Sequence, residues 1–206
     1  MVYNTKYTIK DLPLAPFIEN NFLSTKEIDK IYESCGEGSF NTLHYADRDE
    51  NGDVAHGTII ENIKVHDLDI DNDFKWLAKK IMKYVTYKIK TSDFPEIKVD
   101  KLSRVALYRY YGGAHLSWHD DSIYDGSHSQ RKFISIINLS TFNHDYTGGL
   151  FKIRNYPNIS HPGRKDFAAK PGTIVVAPVY MKHMVSPITS GIRDVIVCWP
   201  EGPYWR

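Results

Sequence analysis

Apolar residues recur along this chain with two different periods, and the change between them falls near residue 100. In the first half, Ile28, Ile31, Tyr32 and Cys35 stand at i, i+3, i+4 and i+7, the spacing of one helical face. Ser24-Thr25-Lys26-Glu27 just before them matches a capping box, in which a serine hydroxyl and a glutamate carboxylate satisfy free helix amides. Gly36 and Gly38 predict the stop. A longer helix is predicted from about Asp73 to Lys90, with Phe74, Leu77, Ala78, Ile81, Val85 and Ile89 as its apolar stripe. Between the helices, Asp49-Glu50-Asn51-Gly52-Asp53 reads as a turn joining two extended segments.

From Lys101 onward the texture is that of short strands separated by Gly, Pro, Asn and Asp. The clearest are Val105-Ala106-Leu107-Tyr108, Phe133-Ile134-Ser135-Ile136-Ile137, Thr173-Ile174-Val175-Val176 and Val195-Ile196-Val197-Cys198-Trp199. Many short strands with turn signals predict a sandwich or jelly roll. No internal repeat, low-complexity tract or linker breaks the chain. The expected fold is therefore mainly β, a jelly roll (double-stranded β-helix) braced by N-terminal helices. One domain is expected over 1–206, with helical support over about 1–100 and the β core over about 101–206.

Composition narrows the class without deciding it. The 206 residues are 42% hydrophobic and 25% charged, ordinary for a globular chain long enough to bury a core. A formal net charge of +1 gives no reason to expect a polyanion, so no nucleic-acid partner is expected. The two cysteines, Cys35 and Cys198, form no CxxC pair and are expected as reduced, buried thiols. The first residues lack the apolar run of a signal peptide, and no segment is long enough to span a bilayer. A cytoplasmic location without membrane contact is the expectation.

Candidate chemistry lies in His119-Asp120-Asp121, His183 and Arg193. His119 and Asp121 are two apart, so on a strand both point to one side while Asp120 faces away. Two histidines and one carboxylate can occupy one face of a metal octahedron and leave the other face open, as in non-haem Fe(II) oxygenases. Arg193, ten residues beyond His183, could hold the far carboxylate of a keto-acid co-substrate. An HxD triplet alone is weak evidence in a chain with nine histidines. His44, His56, His66, His115, His128, His144 and His161 are expected as ordinary solvated or packed side chains.

The sequence around these residues adds specificity. Arg109-Tyr110-Tyr111-Gly112-Gly113, Arg131-Lys132-Phe133-Ile134-Ser135, Asn138-Leu139 and Tyr146-Thr147-Gly148-Gly149 come first. Pro171-Gly172-Thr173, His183-Met184-Val185-Ser186-Pro187, Gly191-Ile192-Arg193 and Trp199 follow. In this order they resemble the iron- and 2-oxoglutarate-dependent oxygenases of the prolyl 4-hydroxylase-like superfamily, over 105–203. The resemblance implies that His119, Asp121 and His183 bind Fe(II), that Arg193 clamps the C5 carboxylate of 2-oxoglutarate, and that Tyr110 donates to the same carboxylate. Tyr108 is the substitute if the strand register differs. It implies O2 as oxidant, ascorbate as a candidate accessory reductant, and succinate and CO2 as co-products. Arg131 and Trp199 match positions that line the substrate pocket, which points to proline in a peptide or protein.

One departure bears on the substrate. Relatives often carry an aromatic three residues before the first metal histidine, where this chain has Leu116. Trp118 could supply an aromatic wall from another direction. A free amino acid or other small molecule stays open as substrate, as do a non-catalytic binding module and a zinc hydrolase. The hydrolase reading leaves Arg193 without a purpose. Segments 122–130 and 155–165 are candidates for the site's rim. The sequence does not fix the oligomeric state.

Overall fold

The computed structural model describes residues 16–36, 40–42, 62–92, 95–122, 130–153 and 170–203. The turn expected at 49–53, the rim segment 155–165 and almost all of 122–130 lie outside them, as do His44, His56, His128 and His161.

The chain begins with β1 (Phe17–Glu19), α1 (Thr25–Ser34), β2 (Asn41–Thr42), β3 (Ile63–Asp67) and α2 (Lys75–Lys90). Nine strands follow: β4 (Lys101–Tyr110), β5 (Leu116–His119), β6 (Phe133–Asn138), β7 (Tyr146–Gly148), β8 (Phe151–Ile153), β9 (Ile174–Pro178), β10 (His183–Val185), β11 (Ile188–Gly191) and β12 (Arg193–Glu201). Seven strands form one antiparallel sheet in the order β1-β9-β6-β12-β4-β3-β2. Opposite it stand a three-stranded sheet, β5-β10-β8, and the pair β11-β7.

Both helices form where the pattern places them. The capping box is complete: Glu27 N donates to Ser24 Oγ at 3.3 Å, and Ser24 N donates to Glu27 Oε2 at 2.8 Å. The stripe of α2 buries Leu77, Ile81, Val85 and Ile89 almost completely. The helical half is less purely helical than its pattern indicates. It supplies β1, β2 and β3, which extend both edges of the large sheet. β2 and β3, the described strands on either side of 49–53, pair with each other.

Alternation along the central strands sorts residues between two cores. Val105 and Leu107, Phe133 and Ile137, Ile174 and Val176, and Ile196 and Cys198 face the helices. Ala106, Tyr108 and Tyr110, Ile134 and Ile136, Val175 and Ala177, and Val195, Val197 and Trp199 face inward. There they meet Tyr146, Phe151, Val185 and Ile188 from the smaller sheets. This two-walled interior is the jelly roll, and the candidate site opens into it.

An ionic cluster ties α1 to the sheet on the helix side. Asp194, 4% exposed, receives Arg109 Nε at 3.0 Å and Arg109 Nη2 at 2.9 Å. Tyr32 donates its hydroxyl to the same carboxylate at 3.1 Å, and the Asp194 amide donates to Ser140 Oγ at 2.7 Å.

Both cysteines are free and buried. Burial pushes the Cys198 thiol up to about 12 and Cys35 up to about 11, so at pH 8 neither carries appreciable reactive thiolate. Iodoacetamide at pH 8 is expected to leave both unmodified in the native protein and to label both in denaturant. Rapid native labelling, read by mass, would contradict the burial.

Candidate active site

β5 and β10 are hydrogen-bonded neighbours, and their register sets His119 directly opposite His183. The two rings lie 4.4 Å apart between centroids. Asp121 does not sit on the strand, as its spacing suggested, because β5 ends at His119. Its backbone is held instead by the bond from Asp121 N to Val179 O, at 3.0 Å. The side chain still converges: Asp121 Oδ1 is 3.7 Å from His119 Nε2, and Oδ2 is 3.7 Å from His183 Nε2. One ligand atom from each of the three residues lies within 4.8 Å of the others. Asp120 is spent differently, accepting the Ser122 amide at 3.2 Å.

Hydrogen bonds fix which histidine nitrogen is available. His119 Nδ1 lies 2.7 Å from Ser117 O, and His183 Nδ1 lies 2.9 Å from Met181 O. A carbonyl only accepts, so both Nδ1 atoms carry the proton and both Nε2 atoms keep a lone pair. Burial holds His183 below the ordinary imidazole range, which keeps it neutral. Phe151 closes its other side at 5.5 Å between ring centroids. Two oriented lone pairs and a carboxylate suit a divalent transition metal, and carbonyl-anchored imidazoles are the usual support of such a centre.

The second part of the site is cationic. Arg193 starts β12, is 3% exposed, and stands across from Tyr110 of β4. Its guanidinium lies 5.5 Å from the Tyr110 ring centroid and 5.9 Å from that of Tyr146. Its Nε is buried with no hydrogen-bond partner among the described residues. A buried guanidinium with an unused donor fits an anionic guest. Gly149, at φ +59, makes room beside it: a Cβ there would collide with the Ile188 side chain and lie 3.1 Å from Arg193 Cδ. Tyr108 also faces this interior, and its neighbour on β12 is Val195 rather than the arginine.

Arg131 and Trp199 belong together. The Arg131 guanidinium lies 4.2 Å from the Trp199 ring centroid, and Arg131 Nε is buried without a partner among the described residues. The indole Nε1 donates to Asp121 Oδ2 at 2.8 Å. Sequence reading missed this bond because it spans 78 positions. It also missed Tyr146, although the adjoining Gly148-Gly149 turn marked the neighbourhood. The remaining described histidines have local partners. His66 rests against Phe40, His115 against Gly113 O, and His144 against Asp145. Leu116 is half-buried on β5, while Trp118 is 38% exposed.

Fold and site together define a jelly-roll protein with a two-histidine, one-carboxylate centre and a buried arginine inside the roll. Residues 105–201, just under half of the chain, match the profile of the 2OG-Fe(II) oxygenase superfamily. A PKHD-type hydroxylase of Synechococcus sp. (strain CC9902) is 30% identical over 129 residues, 61% of this chain. That match spans about half, 54%, of the relative's length.

Solved structures share the fold. A prolyl-4-hydroxylase of Pseudomonas putida superposes with TM-score 0.67 and 15% identity, over 91% of this chain and 92% of its own. The viral collagen prolyl hydroxylase of Paramecium Bursaria Chlorella virus-1, in its 2OG complex, gives 0.62 and 16%, over 91% and 96%. A Trichoplax adhaerens prolyl hydroxylase bound to a hypoxia inducible factor peptide gives 0.58 and 17%, over 90% and 84%. Among the described residues, no helix is long and apolar enough to cross a membrane.

Proposed function

We propose that the protein is an Fe(II)- and 2-oxoglutarate-dependent dioxygenase, that 1–206 act as one catalytic domain, and that the substrate is proline in a peptide or protein. The observation carrying this reading is the His119, Asp121, His183 cluster together with the buried Arg193 guanidinium, whose Nε has no hydrogen-bond partner among the described residues. A metal site alone fits several chemistries. A buried cation inside the same roll, with an unused donor, supports an anionic co-substrate.

In this reading His119 and His183 hold the metal through Nε2, and Asp121 supplies the charged ligand. When bound, iron with 2-oxoglutarate supplies an oxidation in which 2-oxoglutarate, O2 and a C–H bond become succinate, CO2 and C–OH. Arg193 takes the C5 carboxylate, with Tyr110 and Tyr146 as the walls of its pocket. The apolar inner face excludes water from that end. Peptide-binding prolyl hydroxylases among the fold's neighbours support the substrate class, while Leu116 and the exposed Trp118 shape the mouth differently.

Succinate formation from 2-oxoglutarate, measured with anaerobically loaded Fe(II) and started by oxygen against proline-rich peptides, tests the proposal. Peptide-stimulated succinate with a mass gain of ~16, one oxygen atom, on proline is the expected result. Turnover without peptide stimulation would keep the oxygenase and discard the peptide. No succinate from protein shown to hold iron would overturn both.

Arg193→Ala is expected to weaken 2-oxoglutarate binding while leaving metal content unchanged. A charge-assisted bond contributes roughly 1.5–3 kcal/mol, about a 10- to 100-fold rise in the co-substrate's Kd. Arg193→Lys should recover part of it by keeping the charge. Calorimetric titration with 2-oxoglutarate reads the effect, and wild-type affinity in Arg193→Ala would remove the arginine from the site.

A further inference from the structure

Resting on the metal reading above, the geometry points to Trp199 as a positioning residue for the metal-binding carboxylate, with Arg131 acting through it. Each oxygen of Asp121 faces a different histidine, Oδ1 toward His119 and Oδ2 toward His183. Left to itself, such a carboxylate could bind a metal through both oxygens. A bidentate carboxylate would use one of the three positions that a chelating keto acid and dioxygen require. The Trp199 indole N–H occupies Oδ2 at 2.8 Å. Trp199 would thereby leave Oδ1 as the oxygen offered to a bound metal and favour a monodentate carboxylate.

The indole is itself held. Trp199 is 7% exposed on the inner face of β12, and the Arg131 guanidinium covers its ring at 4.2 Å. Arg131 is fixed from both sides by backbone bonds to the end of β12, Lys132 N to Pro200 O and Gly202 N to Gln130 O, both 2.9 Å. A cation over the π-face draws electron density from the ring and makes its N–H a stronger donor. Arg131 Nε has no hydrogen-bond partner among the described residues, and the guanidinium packs on the ring. The three residues thus form a relay, Arg131 to Trp199 to Asp121.

Trp199→Phe keeps the ring and its stacking but removes the donor. Co(II) affinity of the intact protein, by chelator competition, is expected to fall 10- to 100-fold, the range for lost hydrogen-bond support of a metal ligand. The visible spectrum of the Co(II)-loaded protein should shift as the carboxylate changes its mode of binding. Arg131→Met should lower Co(II) affinity by a smaller factor. The double variant should bind no worse than Trp199→Phe alone, because Arg131 acts through the N–H.

Wild-type affinity and spectrum in Trp199→Phe would overturn the inference while leaving the oxygenase reading intact. Metal affinity untouched by Arg131→Met, with only peptide KM raised, would overturn the relay and make Arg131 a substrate contact. A wild-type protein that takes up no metal would overturn the oxygenase reading itself. If Trp199→Phe does not fold, Arg131→Met decides alone, since reduced Co(II) affinity supports the relay and unchanged affinity overturns it.

Discussion

Asp121→Ala is expected to give a folded protein that loses Fe(II) on desalting and makes no succinate above background. Losing a residue that only supports a ligand costs 10–100-fold in metal affinity. Losing the one anionic ligand should therefore exceed about 100-fold. Two neutral imidazoles would remain, and they cannot balance a dication's charge. Folding should survive. The substitution strands the Trp199 N–H, which costs about 1–3 kcal/mol, against a total stability of typically about 5–15 kcal/mol. Metal analysis after desalting and a thermal melt separate the two effects. Wild-type metal content in Asp121→Ala would move the centre elsewhere in the chain.

Asp194→Ala is expected to act on the fold rather than on the chemistry. It leaves Arg109, whose side chain is 17% exposed, without its bidentate partner, and also frees the Tyr32 hydroxyl. An arginine guanidinium stays protonated at any working pH even without a partner, so deprotonation cannot relieve the stranded charge. Removing one member of a buried pair costs about 3–5 kcal/mol, a drop in Tm of roughly 6–20 °C for a chain of this size. Part of the charge keeps a contact, because the Arg109 guanidinium lies 4.5 Å from the Phe40 ring centroid. Urea unfolding of wild type, Asp194→Ala and Asp194→Asn measures the loss. A melt unchanged in Asp194→Ala would show that the arginine swings into water at little cost.

The helices were legible because their signals are local. A capping box four residues long and a stripe repeating every turn need no distant partner to be read. The long inner strands were legible for a similar reason, since β6, β9, β12 and the Val105–Tyr108 stretch of β4 are buried on both faces and read as apolar runs. β1 and β2 escaped naming as strands because they have three and two residues, and β3 because its five residues mix apolar with charged side chains where β9 is apolar throughout. Strands that short owe their conformation to neighbours such as β9 and β4, which lie far off in sequence.

The site divides in the same way. Spacing and surrounding motif identified His119, Asp121, His183 and Arg193, which the fold gathers into one interior. Spacing could not foresee that Asp121 leaves the strand, because the partner of its amide, the Val179 carbonyl, lies far off in sequence. Nor could it show that Trp199 reaches Asp121, a contact created by the closure of the roll.

β12 carries Arg193 and Trp199 on its inner face and Asp194, Ile196 and Cys198 on the other. Adjacent residues of one strand therefore answer to different demands, the proposed capture of a co-substrate on one side and cohesion with the helices on the other. A change that shifts the strand's backbone would be felt in both. Attempts to redirect the protein toward a shorter or longer keto acid should leave β12 alone and vary Tyr146, whose ring forms a wall of the arginine's pocket from a separate sheet. Drift in β12 should be confined to paired changes, with each inner replacement matched by one facing α1 or α2.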